Sequence, residues 1–544
     1  MLLQPTTSKP PLNLRNNGQN NNVPISSNFS YSVSIPSGLC NSAGVKPIRT
    51  NKDVVFTCRI SHTQVHSYGT VDFEKRPGAK WSIVYKRILN LEDPNKGSAA
   101  VLNQWEIDGN RLSKWDLSRV IKELRKFKRF KLALEVYEWM NNRSERYRVT
   151  TSDTAIQLDL IAKVRGISSA EEYFQKLPDS LKDKRVYGAL LNAYVHAKKR
   201  EEAESLMDEL RIRGYASMSL PYNVIMTLYL NFKEYEKVEL MISEMMEKNI
   251  KLDIYSYNIW MSSCGAQGSV EKMEQVLEKM KLDTTIIPNW TTYSTMATVY
   301  IRLGEMEKAF GALKNVEGRL TGRDRIPYHY LMSLYGTLGK KEEVYRVWNV
   351  YKSLFSRIPN LGYHSLISSL VRLGDIEGAE NIYKEWLSVK TMFDPRIGNL
   401  LLGFYVRNDF PDKAKAFFDE MIEVGGKANP TTWEILAEDH IRAKRISEAL
   451  SCIKKAVSAE GSRSWRPRIE NVSSILMHCE KEDDMASKEV LLGILKQVGC
   501  LDDEIYMSYV FNRTLTGVEP TLERDQSGDD DESEMLLKQL QGSL

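Results

Sequence analysis

Histidine and cysteine are the side chains of this chain best suited to hold a metal ion or to act as base and nucleophile. The six cysteines include no C-x-x-C pair, a pattern typical of reduced thiols in an intracellular compartment rather than of a zinc site. Among the seven scattered histidines, His329 and His364 are 35 residues apart and share a repeat phase, without a third ligand beside them. We therefore predict no metal site and no cofactor.

Motifs for catalysis are also missing from the sequence. It contains no G-x-x-x-x-G-K-S/T phosphate loop, no H-E-x-x-H metal-binding helix and no G-x-S-x-G nucleophile turn. Carboxylates occur in pairs such as Glu201–Glu202, where the start of a helix favours negative charge, and no general acid–base pair stands out. The sequence predicts a protein that is not an enzyme, with no catalytic residues and no small-molecule substrate.

A unit of about 35 residues organises the chain between residues 184 and 429. Six tyrosines recur at spacings of 35, 35, 36, 35 and 35 residues: Tyr187, Tyr222, Tyr257, Tyr293, Tyr328 and Tyr363. Sixteen residues after each tyrosine stands a small or slim apolar residue, and four glycines share a column between these two: Gly268, Gly304, Gly339 and Gly374. Because several columns stay in register over this length, we predict a repeat array.

Each unit predicts two short helices joined by a turn. Apolar residues favour one helical face from Tyr222 to Leu230, and again at i, i+3, i+4 and i+7 from Val238 to Met245. The glycine column falls where the first helix would end, a place that often needs a left-handed residue. Since one hairpin cannot bury its apolar face, the predicted fold is an all-α solenoid of about eleven repeats over residues 114–502.

The two ends of the chain differ from the repeats. Residues 1–58 contain a single acid, Asp53, among many Ser, Asn, Thr and Pro, which predicts a disordered transit peptide or, alternatively, an ordinary disordered terminus. Few arginines and no clear amphipathic helix favour the chloroplast over the mitochondrion. Residues 59–113 predict an irregular and helical lead-in, 503–518 a helical cap and 519–544 an acidic, disordered tail. No apolar run is long enough to span a bilayer.

The unit junctions resemble those of one family of helical repeats. A tetratricopeptide unit has 34 residues and a Trp/Leu/Gly/Tyr first helix, which is absent here. A period of 35 with Tyr-Asn near its start, Ala at position 20 and Asp at its end resembles the pentatricopeptide repeat, as at Ser256-Tyr257-Asn258 and Ile287-Pro288-Asn289-Trp290. The resemblance covers residues 114–502, and the nearly constant unit length is similar to the P-type subclass of plant organelle proteins.

This resemblance implies sequence-selective binding of single-stranded RNA in an organelle, supporting RNA processing, stability or translation without catalysis. It also implies that each unit reads one base through its fifth and last residues. The fifth residues are Gly188, Asn223, Asn258, Ser294, His329, His364, Asn399 and Glu434. The last residues are Met218, Asp253, Asn289, Asp324, Pro359, Asp394, Asn429 and Pro467.

By the family's pattern, the pair Asn223/Asp253 implies uracil, and Ser294/Asp324 implies guanine. Two further pairs imply pyrimidines: Asn258/Asn289 and Asn399/Asn429. The remaining pairs depart from the usual combinations, so the implied site reads U, pyrimidine, G, any, any, pyrimidine. Residues at the second position would stack between bases: Leu220, Tyr255, Ile326 and Leu361.

Charge permits RNA binding but does not demand it. The chain has a net charge of +4, with five bases against one acid in residues 1–58 and eight acids against two bases in residues 519–544, which leaves +6 on residues 59–518. This is less than a nonspecific polyanion binder carries. One basic segment would either contact phosphates or be a solvated helix face: Lys122, Arg125, Lys126, Lys128 and Arg129.

Two alternatives remain open at this point. Asn, Ser and Asp are good N-cap residues, so the paired polar residues could cap helices as well as read bases. The near-neutral charge and the atypical pairs fit a second function, that of a protein-interaction scaffold in an organellar ribosome or ribonucleoprotein complex.

Overall fold

Helical hairpins make up the described part of the chain. The computed structural model describes residues 80–91, 97–322, 324–390, 392–459 and 465–511, which form α-helices and short 3-10 turns without any strand. The predicted transit peptide, residues 1–58, and the acidic tail, residues 519–544, lie outside the described residues. The helices are α1 (Lys80–Leu89), α2 (Ser98–Ile107), α3 (Lys114–Lys126), α4 (Phe130–Asn141), α5 (Thr151–Arg165), α6 (Ile167–Lys176), α7 (Lys184–His196), α8 (Arg200–Ile212), α9 (Ser219–Asn231), α10 (Tyr235–Glu247), α11 (Ile254–Ala266), α12 (Val270–Leu282), α13 (Trp290–Arg302), α14 (Met306–Glu317), α15 (Ile326–Thr337), α16 (Lys341–Leu354), α17 (Asn360–Arg372), α18 (Ile376–Val389), α19 (Pro395–Arg407), α20 (Pro411–Glu423), α21 (Pro430–Arg442), α22 (Ile446–Ser458), α23 (Ile469–Lys481), α24 (Met485–Gln497) and α25 (Glu504–Phe511).

The predicted solenoid is confirmed, and its eleven repeats are the hairpins from α3–α4 to α23–α24. The lead-in is more regular than expected, because α1 packs on α3 and α2 packs on α4, so this hairpin continues the array by one unit. At the other end α25 packs on α23. It covers the apolar face that the last repeat would otherwise leave exposed.

The first helices of the repeats line the inner side of the stack. From α5 to α25 each first helix packs directly on the next first helix, whereas the second helices α8, α10, α14, α16 and α18 reach the following repeat mainly through its first helix. Elements that lie closer together occupy the inner layer of a curved stack, so the first helices form the concave side.

The repeat columns are packing positions. The tyrosine column is buried, as is the small apolar column from Ala203 to Ala449. The tyrosine hydroxyls also find acceptors on their own second helix, since Tyr187 donates to Glu209 and Tyr222 donates to Glu244. The buried ring thus packs between the two helices while its polar end stays hydrogen-bonded.

The turn between the two helices of a repeat requires a left-handed residue throughout the array. The predicted glycine column has positive φ, from 70° at Gly339 to 79° at Gly304. The same column holds side chains in other repeats, with φ of 53° to 59°: Lys128, Lys198, Lys233, Asp409, Lys444 and Asp483. The four glycines therefore revealed only part of a left-handed position that the turn requires in the other repeats as well.

Replacing one of these lysines with glycine is expected to stabilise the protein. Lys233→Gly removes a Cβ from a left-handed residue (φ 59°) and should raise the free energy of unfolding by roughly 0.5–1 kcal/mol, measured by urea denaturation. The reverse change, Gly268→Lys, should lower it by a similar amount, because no neighbouring atom lies within 4 Å and only the backbone is strained. Loss of stability in Lys233→Gly would contradict this account.

Candidate nucleic-acid interface

Helix capping positions the last residue of a unit at the start of the next first helix. Where that residue is Asp or Asn, its side chain accepts a hydrogen bond from the first turn of the next first helix, as Asp183 does at α7 and Asn289 does at α13. Asp253 and Asn429 form full capping boxes with Ser256 and Thr432. The last residue therefore sits at the N-terminus of a first helix, one repeat beyond its own fifth residue.

Asn223 and Asp253 are directly bonded across two repeats. The Asn223 amide nitrogen lies 3.0 Å and 3.2 Å from the two carboxylate oxygens of Asp253, and its carbonyl oxygen accepts a hydrogen bond from the Ser256 hydroxyl at 2.7 Å. Ser219 donates to the same carboxylate at 2.6 Å. The Asn223 side chain is 1% exposed. We call this arrangement, in which Asn at position 5 bonds the cap of the next repeat, a clasp.

A second clasp occurs five repeats later with the same geometry. The Asn399 amide donates to the Asn429 carbonyl oxygen at 3.2 Å, and the Asn399 carbonyl accepts from the Thr432 hydroxyl at 2.8 Å. Thr432 takes the place of Ser256, and Asn429 takes the place of Asp253. In both clasps, 30 residues separate the fifth residue of the unit from its last residue.

The pair Asn258/Asn289 is linked indirectly. The Asn258 amide donates to the Thr291 hydroxyl at 3.1 Å, and that hydroxyl donates to the Asn289 carbonyl oxygen at 2.6 Å. The carbonyl oxygen of Asn258 has no hydrogen-bond partner among the residues that the structure describes. A buried acceptor without a donor is unfavourable, so this position would gain from a ligand N–H.

The residues of the next pair, Ser294 and Asp324, are not bonded to each other. The Ser294 hydroxyl donates back to the Thr291 carbonyl of its own helix at 3.0 Å. Asp324 accepts from the backbone N–H of Ile326 at 3.1 Å, and burial raises the pKa of its carboxyl. Here the structure supports helix capping more directly than pairing.

His329 is turned away from its predicted place. It is 3% exposed, and its Nε2 lies 3.0 Å from the Tyr351 hydroxyl on the second helix of the same repeat. Burial lowers the pKa of His329 to about 3, with smaller contributions from Arg325 and His364. The two histidines thus lie near each other, as their shared phase predicted, but His329 is a neutral core residue at physiological pH.

His364 and Asp394 form the remaining predicted pair. Asp394 caps α19, and Arg396 holds its carboxylate with an ion pair of 2.6 Å. The cross-repeat contact to Asp394 comes from Asn360, whose amide nitrogen is 3.5 Å from the carboxylate. Desolvation opposes ionisation here, but the bonds to Arg396 hold the pKa of Asp394 below its usual value.

Glu434 binds the backbone just before α23. The last residue of its unit is Pro467, which offers no side-chain acceptor to α23. The Glu434 carboxylate accepts from the Arg468 backbone N–H at 2.6 Å and from the Trp465 indole N–H at 3.2 Å. The residue is 5% exposed, and burial raises the pKa of this carboxyl. Its polar atoms are therefore committed to the protein.

Glu434→Ala is expected to destabilise the C-terminal repeats. It removes the acceptor of two part-buried hydrogen bonds and should lower the free energy of unfolding by about 1–2 kcal/mol, seen as a lower urea midpoint. Adding Pro467→Asp should restore part of this loss, because an aspartate there can accept from the first turn of α23 as Asp324 accepts from the N–H of Ile326 at α15. An unchanged midpoint in the single variant would contradict the assigned role.

The predicted stacking residues differ in their exposure. Leu220 is exposed, Tyr255 and Leu361 are partly exposed, and Ile326 is buried. Ile326 packs in the core and is poorly placed to separate two bases. The strongest aromatic candidate at the second position was missed: Trp115 on α3 is 65% exposed.

The basic segment lies at the far end of α3 and in the turn that follows, opposite the helix N-termini that carry the predicted readers. Arg125 is 3.5 Å from Asp159 and Lys126 is 3.9 Å from Glu123, so these two charges are partly neutralised. Lys122, Lys128 and Arg129 are exposed.

A row of cations at the ends of the first helices was missed by sequence reasoning. The thirteenth residue of a first helix shares a face with the second and ninth, and it is basic in most repeats. We call these residues the cation row: Lys126, Lys163, Arg302, Arg372, Arg407, Arg442 and Lys481. Aligning the units and comparing charged residues at each position, instead of apolar residues, would have found it.

Some members of the cation row also hold neighbouring helices together. Arg372 donates to the Thr337 hydroxyl at 3.0 Å, and Arg442 donates to the Arg407 carbonyl at 2.9 Å. Positive charge at the C-terminal end of a helix is favourable in itself. Arg302, by contrast, is exposed and makes no hydrogen bond or ion pair with the residues described by the structure.

Comparison with known proteins identifies the repeats. The pentatricopeptide repeat domain matches residues 240–302, and the PPR repeat matches residues 185–215, 221–250, 291–319, 363–389 and 399–426. The pentatricopeptide repeat-containing protein At1g02150 of Arabidopsis thaliana is 56% identical over 530 residues, which are 97% of this chain and 99% of the relative. The chain belongs to the pentatricopeptide repeat family.

Other matches of this pentatricopeptide repeat protein differ in their stated roles. The Arabidopsis large ribosomal subunit protein mL101 (rPPR4) is 38% identical over 73% of this chain and 80% of its own length. Further Arabidopsis relatives, 31% to 34% identical, carry the word mitochondrial in their names. A crystal structure of the protein PPR10 with an 18-nt psaJ RNA element covers 77% of this chain and 60% of that protein, at 17% identity and a TM-score of 0.42.

No described helix is long and apolar enough to cross a membrane. No group of three or more His, Cys, Asp or Glu side chains in the same residues is arranged to hold a metal ion.

Proposed function

We propose that this protein binds single-stranded RNA along its concave side, with one base facing each repeat and without catalysing a reaction. The observation that carries the proposal is the polar side chain at position 5, buried or half-buried, in each of the seven repeats from Asn223 to Glu434. A core that only had to pack would be served by apolar residues there, because burying an amide is unfavourable unless it is hydrogen-bonded. The unpaired Asn258 carbonyl adds an acceptor that a pyrimidine N–H could satisfy.

The proposed contribution differs between repeats. Asn223/Asp253, Asn258/Asn289 and Asn399/Asn429 would read pyrimidines, uracil at the first, and Ser294/Asp324 would favour guanine. His329 and Glu434 would leave their bases unread, because their side chains are buried and bonded within the protein. The cation row and the exposed Lys122, Lys128 and Arg129 would neutralise phosphates, and Leu220, Tyr255 and Leu361 would stack on bases.

We place this activity in an organelle, where the RNA would be protected, processed or translated. The acid-poor composition of residues 1–58 supports an organelle in general. The names of several relatives favour the mitochondrion over the chloroplast that the leader composition favours.

Selection from a random RNA pool tests the proposal. The recombinant protein should enrich a motif of the form U, pyrimidine, G, any, any, pyrimidine, at both low and moderate salt. Enrichment without a motif, lost at moderate salt, would indicate phosphate attraction alone. No enrichment would refute RNA binding as the main function.

The second candidate function is that of a structural protein in an organellar ribosome. The resemblance to mL101 supports it, and so does the saturation of the two clasps by bonds within the protein. This candidate predicts that the tagged protein co-sediments with ribosomal subunits. The co-sedimentation should persist after free RNA has been digested with ribonuclease.

A further inference from the structure

The end of the described chain points toward the cation row. Tyr506, in the first turn of α25, donates a hydrogen bond to the Pro467 carbonyl just before α23, so both helices start at the same edge of the stack. They therefore run in the same direction. Helix α25 therefore ends, at Phe511, on the side of the stack where α23 ends at Lys481.

The charge of the following segment is opposite to that of the row. Residues 519–534 contain eight acids and one arginine: Glu519, Glu523, Asp525, Asp529, Asp530, Asp531, Glu532 and Glu534. At this edge Lys444 and Lys481 are exposed, and neither forms an ion pair with a described residue. Farther along the row, Arg302 is exposed in the same way.

The lengths of the two charged features match. Neighbouring packed helices are about 8–10 Å apart, so the five steps from α23 back to α13 span roughly 40–50 Å. An extended chain covers up to about 3.3 Å per residue, so the sixteen residues 519–534 reach up to about 50 Å. Residues 512–518 would bridge the distance from Phe511 to Lys481.

We propose that residues 519–534 dock along the cation row between Lys481 and Arg302 and compete there with the phosphates of RNA. The docking itself needs only charge and reach, whereas the competition rests on the proposed RNA-binding function. The bound tail would lower the affinity of the protein for polyanions that bind only through charge. An RNA that also makes base contacts would displace the tail. The effect is electrostatic, so it weakens as salt screens the charges.

The first measurement detects docking without RNA. Zero-length carbodiimide coupling of the full chain, read by mass spectrometry, should join Lys481 and Lys444 to carboxylates between Glu519 and Asp525. The crosslinks should disappear at about 1 M salt, where the screening length is roughly 3 Å. Their absence at low salt would overturn the proposal.

The second measurement compares RNA affinity in a neutralised tail and in a matched control. The tail variant carries D529N, D530N, D531N, E532Q and E534Q in the full chain. The control removes the same number of charges from exposed second-helix acids that lie beyond the first turn and form no ion pair with a described residue: E247Q, D419N, E420Q, E423Q and E489Q. The tail variant should bind single-stranded RNA roughly 10-fold more tightly at low salt, with less than about a 2-fold difference at 0.5 M salt.

The control separates the local effect from net charge. Equal tightening in both variants would overturn competition by the tail. Crosslinks without RNA binding by any variant would support tail docking and refute the proposed function. RNA binding that is unchanged in the tail variant, with no crosslinks, would refute the docking and leave the proposed function in place.

Discussion

Replacing Trp348 with alanine is expected to lower the free energy of unfolding by about 3–5 kcal/mol, the range for deleting a large buried aromatic side chain. Trp348 is 1% exposed on α16. Its ring lies 5.9 Å from Tyr351 of the same helix and 5.2 Å from Tyr363 of the next repeat, edge to face. It therefore joins two repeats, and its loss should uncouple them as well as open a cavity.

Trp115 provides the matched control, because Trp115→Ala makes the same chemical change at an exposed site. It should alter the free energy of unfolding by no more than about 0.5 kcal/mol. Urea denaturation followed by circular dichroism reports both variants, and Trp348→Ala should also broaden the transition if the array splits at α16–α17. Equal effects of the two substitutions would contradict the central role of this aromatic contact.

Replacing Asn223 with threonine is expected to change the first base of the selected RNA motif from uracil to guanine. The resulting Thr/Asp pair is the one that the family's pattern assigns to guanine, and Asp253 keeps its capping bonds to Ser256. A changed hydrogen-bonding pair at one base is worth on the order of 1–3 kcal/mol, so preference at that base should change by about 10-fold or more. Selection from a random pool measures it.

Asn399→Thr is the internal control for register. It changes the equivalent clasp five repeats later, so the altered base should move five nucleotides toward the 3′ end while the first base stays uracil. If neither substitution alters any base, the clasps hold repeats together and read nothing. Thermal unfolding would then show their effect, because each variant loses an amide that bridges two repeats.

The sequence left open whether the paired polar residues cap helices or read bases, and the clasps are compatible with both roles. Asp253 caps α11, binds Asn223 and accepts from Ser219. Capping therefore fixes the carboxylate next to the fifth residue, and this fixed position is what a base-reading pair would require. A base would have to share or replace a bond that the free protein already makes, which favours selectivity over raw affinity.

The sequence by itself determined the repeat period, the two helices of each unit, the caps at their starts and the left-handed turn between them. These features depend on residues less than 35 positions apart, where helical periodicity and local hydrogen bonds dominate. The packing role of Tyr222 or Ala203 follows from the same pattern. The sequence also located the polar positions 5 and 35, although through resemblance to the family and not through spacing alone.

Only the tertiary structure decided what each polar side chain contacts. Asn223 and Asn399 donate to and accept from the next repeat, whereas His329 turns to Tyr351 and Glu434 accepts from the Arg468 backbone N–H just before α23. The choice depends on which donors and acceptors from the adjacent helices come within about 3 Å, and the column pattern does not contain that information. The α1–α2 hairpin was decided in the same way, because its short helices are fixed by packing on α3 and α4 and not by a recognisable repeat.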